Sequence, residues 1–150
     1  MSQNPIKLLA RAALLKLRGR ARLERNIADT SLEVDGERFV AFRKLVVDGA
    51  PGQPAVPGAI FQVRFRFKNL SAKANQRLSL IPTPLIAAQP GFRSKTWLLG
   101  DESGDFIGCY EFDTVEQAEA YWDSLPLSMM RGRAAEGSLS HEVRPAREER

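Results

Sequence analysis

An α+β fold of β-α-β-β-α-β order is predicted for residues 60–145, and three observations predict it. In IFQVRFRF, Phe61, Val63, Phe65 and Phe67 alternate with Gln62, Arg64 and Arg66, the period of a strand with one apolar face. Residues Pro90 to Tyr121 read as one unit: a turn, a strand, a hairpin, a second strand and a helix. Helical stretches fall after the first strand and after the third, where crossovers are needed.

The chain is read as four parts. Residues 1–28 form a basic amphipathic helix, 29–59 an extended hairpin with a Pro/Gly linker, 60–145 the domain, and 146–150 a disordered tail. Over Pro5 to Ile27, Ile6, Leu9, Ala10, Ala13 and Leu17 recur at helical spacing, with Lys7, Arg11, Arg18, Arg22 and Arg25 opposite. Such a helix suits, first, packing on its own domain or a partner subunit and, second, an anionic membrane surface; a targeting peptide ranks last, because no cleavage pattern of small residues follows it. In Ser31 to Val47, Asp35-Gly36 between apolar residues signals a tight hairpin. DGAPGQPAVPG at 48–58 excludes regular structure.

Within the domain, strand one is followed by a helix from Ser71 that Pro82 and Pro84 interrupt near Ile81. Thr83-Pro84 is an N-cap and N1 pair for a short helical turn over Leu85 to Ala88. Arg93 to Leu99 is strand two, GDESGD the turn, and Phe106 to Phe112 strand three. Thr114 and Gln117 stand at capping-box spacing and open a helix burying Val115, Ala118, Tyr121 or Trp122, and Leu125, which Pro126 stops. A loop or helical turn holding Met129 and Met130 leads to a last strand over Ser138 to Arg144. The order is the ferredoxin-like one.

Charge narrows the function classes. The net +4 is unevenly held: residues 1–28 carry seven cations against Glu24 alone, so the rest of the chain is slightly acidic. A nucleic-acid-binding face, with basic residues spread over the folded body, is therefore not expected. A single cysteine, Cys109, excludes an internal disulfide and suits a reducing, cytoplasmic compartment. No apolar stretch is long enough to span a membrane, since Lys7, Arg11, Lys16 and Arg18 break the N-terminal one. Phosphate loops, paired metal-ligand motifs and serine nucleophile elbows are absent.

PGFRSKTWL, GCYEF, VEQAEAYW and GSLSHEVRP resemble, in order and spacing, the YdhR-like proteins assigned as monooxygenases, within the broader antibiotic-biosynthesis-monooxygenase group. The resemblance covers about Ile60 to Pro145. It implies a homodimer in which two four-stranded sheets close an α+β barrel around a small apolar or aromatic molecule. It also implies chemistry ranging from cofactor-free oxygenation to haem degradation, and fold alone does not decide between them.

The residues offer candidates for such a cavity. Gln62, Arg64 and Arg66 point away from the phenylalanine face, and Glu111 is the expected partner of the arginines. Lys95, Trp97 and Tyr110 are further candidates for ligand contact. His141, the only histidine, is the one side chain whose ordinary pKa suits base chemistry at neutral pH. No motif places Asn69, Asn75 or His141 with Trp97 as haem degradation in the related enzymes requires, so no cofactor is predicted, and haem stays open as a ligand that the fold allows and no motif supports. A small oxygenase-like enzyme and a non-catalytic lipid- or isoprenoid-binding module attached to a membrane by its N-terminal helix are the two functions carried forward.

Overall fold

A computed structural model describes residues 3–25, 27, 29–48, 56–66, 74 and 82–146, the side chain of Leu17 excepted. The chain is built from helix α1 (Pro5–Leu17), strands β1 (Ala21–Glu24), β2 (Ser31–Val34), β3 (Glu37–Val47) and β4 (Ala59–Phe65), and helix α2 (Thr83–Ala87). Strands β5 (Phe92–Gly100) and β6 (Phe106–Phe112), helix α3 (Val115–Ala120), a 3₁₀ turn (Tyr121–Asp123), helix α4 (Leu125–Arg131) and strand β7 (Ser140–Pro145) follow. The strands form one antiparallel sheet in the order β1-β3-β5-β6-β4-β7, with β2 also on β3. Strands β5-β6-β4-β7 keep the ferredoxin-like order expected for the domain.

Helix α1 begins where the Asn4 side chain accepts from the backbone N–H groups of Ile6 and Lys7. It ends ten residues earlier than the sequence pattern suggests. Gly19 takes the left-handed conformation at φ 66°, and the N–H of Arg20 returns to the Leu15 carbonyl, closing the last turn. Ala21 to Glu24 then pair with Lys44 to Val47, so the amphipathic pattern read through to Ile27 runs across a helix and an edge strand.

The hairpin is as expected: Asp35 and Gly36 both have positive φ, 52° and 81°, as a two-residue turn matching strand twist requires. Strand β3 is no detached extension, because it pairs with β5 from Phe39 to Val46. A bulge between Ala41 and Arg43 shifts that register. Before it, Phe39 and Ala41 face a small core with Leu98 and Ile107; after it, Leu45 and Val47 join the main core. One strand thus serves both faces of the sheet, a consequence of the extra residue.

The main core lies between the sheet and the helices and contains Phe61, Val63, Phe65, Phe106, Tyr110, Phe112, Ala118, Tyr121 and Leu127. Phe61 makes edge contacts with Tyr110 and Tyr121 at centroid distances of 5.5 and 5.3 Å. Helix α2 packs on β3 and β5, and α3 on β4, β6 and β7. The helix read over Ser71 to Ile81 lies outside the described residues apart from Ala74, which is helical. Phe67 and most of the tail also lie outside them.

Two capping expectations are corrected. The N-cap of α2 is Pro82, and the Thr83 hydroxyl, buried, makes no hydrogen bond among the described residues. Thr114 does cap α3, accepting from the Gln117 N–H at 3.1 Å, but Gln117 Oε1 meets no donor among the described residues and does not close a capping box. Pro126 does not stop a helix. It lies in the first turn of α4, where a missing N–H costs nothing, and Ser124 caps that helix through the Leu127 N–H.

Candidate functional site

Strand register decides which predicted residues can meet. Lys95 lies opposite Tyr110, Trp97 opposite Gly108, and Arg43 opposite Trp97, so all four side chains rise from the helix face. Gln62 pairs with Cys109, Arg64 with Ile107 and Ile60 with Glu111, which places Gln62, Arg64 and Glu111 on the other face. The six residues expected to line one cavity are therefore split by the sheet.

On the helix face they form a compact constellation in the strip of β5 and β6 between α2 and α3. Lys95 is 5% exposed, Trp97 and Tyr110 2% each. Lys95 Nζ stands 4.4 Å from the Trp97 ring centroid and 4.7 Å from that of Tyr110. Among the described residues no carboxylate pairs with it, so aromatic ring faces are what it meets there. Burial pushes its pKa well below the usual lysine value, and the Arg43 charge adds to the effect. The Arg43 guanidinium lies 4.9 Å from the Trp97 centroid, and burial lowers it to about 10 with Arg25 contributing. Gly108 makes room: a Cβ there would come within 2.9 Å of Tyr110 and 3.1 Å of the Lys95 Cε.

The Tyr121 hydroxyl donates to that of Tyr110 at 3.2 Å. Burial raises both phenols above their usual range. Trp97 Nε1 is buried with no acceptor among the described residues. A buried amine and indole N–H inside an aromatic core are costly unless polar groups meet them. In its neutral form Lys95 can accept a proton, and Trp97 Nε1–H can donate one hydrogen bond.

The other face holds a salt-bridge cluster. Asp105, at the hairpin before β6, receives Arg64 Nε at 2.9 Å and Arg66 at 2.6 Å. Glu37 accepts from the Ser103 and Glu102 N–H groups and the Ser103 hydroxyl, and lies 3.4 Å from Arg64. The Ser103 N–H leads in holding its carboxyl below the usual range. Glu111 is not the arginines' partner, since register carries it toward Ile60; it accepts instead from the Ser94 hydroxyl at 2.6 Å. These groups satisfy one another, so Arg64 and Arg66 act as structural cations.

His141 pairs with Val63 at the edge strand β7 and is exposed. Its ring stacks on Trp122, centroids 3.7 Å apart, and on Phe61 at 5.7 Å. It shares the helix face and the row of Trp97, with β6 and β4 between them, and meets the Lys95 group through Phe61. No group of three metal-ligating side chains occurs among the described residues. Arg43, Tyr121 and Asp105 were not singled out for these roles in the sequence. The β3 bulge hides the first, the second reads as one more core aromatic, and the third is one of three acids in a turn.

Comparisons with known proteins agree with the fold. A ferredoxin-fold protein of Listeria monocytogenes, described as uncharacterized and related to antibiotic biosynthesis monooxygenases, is similar at 8% identity and TM-score 0.56, over 77% of this chain and 68% of that one. An anthrone oxidase-like protein is similar at 19% identity and TM-score 0.50, over 75% and 57%. LmHde, a heme-degrading enzyme of Listeria monocytogenes, is similar at 7% identity and TM-score 0.55, over 82% and 95%. At these identities the likeness speaks for the fold alone. No curated protein matches the chain. The family model described as "Putative mono-oxygenase ydhR" matches residues 60–143, more than half of the sequence, and the chain belongs to that family.

Proposed function

We propose that the protein is a cofactor-free oxygenase of a small acidic aromatic, acting at the helix-face group of Lys95, Trp97, Tyr110 and Tyr121. The observation that carries this reading is Lys95: a buried amine with a lowered pKa, set against aromatic rings and without a carboxylate among the described residues. A ketone whose CH₂ lies between aromatic rings enolises readily, as in the anthrones named for one structural relative. Neutral Lys95 takes the enol proton, and the resulting ammonium pairs with the enolate. Trp97 Nε1–H donates to the oxygen, and the aromatic rings hold the planar body.

An enolate of this kind gives its own electrons to O₂. The balance is R₂CH₂ + O₂ → R₂C=O + H₂O, with one oxygen atom kept as the new carbonyl and the other leaving as water. Lys95 returns its proton to that water. No flavin or metal is required, because the substrate is the reductant.

The homodimer belongs to the same reading. The half-buried Gln62, Thr96, Cys109 and Glu111 on the open sheet face are the surface a second copy would meet. Light scattering on the purified chain tests this independently of chemistry.

Oxygen uptake with a hydroxyanthrone tests the reaction. The expected result is uptake equal to quinone formed, rising with pH through a pKa well below that of ordinary lysine, and lost in Lys95→Met. Uptake no faster than in buffer would contradict the reading.

A further inference from the structure

Helix α1 buries the wrong face for a helix that merely packs on its domain. Ala12 and Leu15 are buried and Leu8 half-buried, so the domain is met by the 8-12-15 side. At 3.6 residues per turn, Ile6, Ala10, Ala13 and Leu14 lie on the opposite side. Ile6 is 77% exposed and Leu14 46%, with Leu9 on the flank at 50%. The apolar residues that give α1 its amphipathic pattern are thus largely outside.

Charge says what they meet. Lys7, Arg11 and Arg18 flank the outward face on one side and Lys16 on the other, and the helix holds no acidic residue. An apolar strip between rows of cations matches an anionic lipid surface, where side chains enter the acyl boundary and cations stay among headgroups. Its orientation is fixed. Gln3 exchanges hydrogen bonds with the buried Gln89 and accepts from the Leu125 N–H, tying the start of α1 to the domain.

Beside α1 the apolar surface continues into a cleft of about 470 Å³ lined by Leu9, Ala13, Lys16, Leu23, Leu45 and Ala87. Leu9 and Ala13 bridge the outer face and this cleft. Its size suits an acyl chain, with Lys16 placed for an anionic headgroup.

We propose that α1 docks the protein on an anionic bilayer through Ile6, Leu9 and Leu14, with the adjoining cleft taking a lipid acyl chain. This attachment is independent of the Lys95 chemistry. Cosedimentation of the full chain with phosphatidylcholine vesicles, with and without phosphatidylglycerol, tests it.

The chain is expected to pellet with the anionic vesicles, to be released by salt, and to remain in solution with the neutral ones. Ile6→Ser with Leu14→Ser should weaken binding about tenfold or more while leaving circular dichroism unchanged. Lys7→Glu with Lys16→Glu should abolish the preference for anionic lipid. Failure to pellet with either vesicle, or wild-type pelleting by the serine variant, would overturn the proposal. So would a dimer in solution that the serine variant abolishes, since that would give the face to a second copy.

Discussion

The two faces of the sheet carry similar residue types and use them oppositely. On the open face, Arg64 and Arg66 reach Asp105, and Arg64 also reaches Glu37, so charge is neutralised where solvent still has access. On the helix face, buried Lys95 stands against the rings of Trp97 and Tyr110. A cation paired with carboxylates keeps its charge and holds a fold together. Burial among rings instead pushes the Lys95 pKa down.

Adjacent residues of β4 separate the two faces by the largest energy difference. Phe61→Ala should cost about 3–5 kcal/mol in urea unfolding, because its fully buried ring touches Tyr110 and Tyr121. Gln62→Ala, one residue on and facing the other way, should stay within about 0.5 kcal/mol. Equal costs would mean that the faces are wrongly assigned.

Asp105→Asn ranks next. It leaves two arginines without their shared carboxylate, at about 1–3 kcal/mol after allowing for the half-exposed Arg66. A loss confined to low salt would show that the cluster is a surface effect.

One stability change has the opposite sign. Lys95 has its folded pKa depressed, so the unfolded chain binds the extra proton between that value and the ordinary 10.5. Stability from this group is present above the unfolded pKa and is lost as pH falls toward the folded one. Lys95→Met should therefore stabilise the protein at neutral pH, with the gain shrinking toward pH 10.5. Urea midpoints across pH measure it, and a gain independent of pH would point to packing alone.

The sequence showed the fold well where one residue type dominated a period. The phenylalanines of β4 and the Asp35-Gly36 turn are of this kind. It hid β1, because Ala21 to Glu24 continue the basic pattern of α1 and become a strand only by pairing with β3. The site was half legible. Lys95, Trp97 and Tyr110 stand out by type, yet β5 buries residues on both of its faces, Ser94 and Leu98 as well as Lys95 and Trp97, so alternation cannot assign them. Arg43 reaches the site through a bulge that no local residue choice announces. Glu111 and His141 were grouped with it on chemistry alone: register carries Glu111 to the other face, and leaves His141 on the helix face but at the sheet edge, with β6 and β4 between it and Trp97.

Oxygen uptake with the anthrone probe by Lys95→Met beside Glu111→Gln decides whether the chemistry occurs on the helix face. The methionine variant, folded and more stable, should lose activity by about a hundredfold or more, as removal of a general base does, while the glutamine variant keeps the wild-type rate. Activity surviving in Lys95→Met and lost in Glu111→Gln would contradict it and move the site to the open face of the sheet.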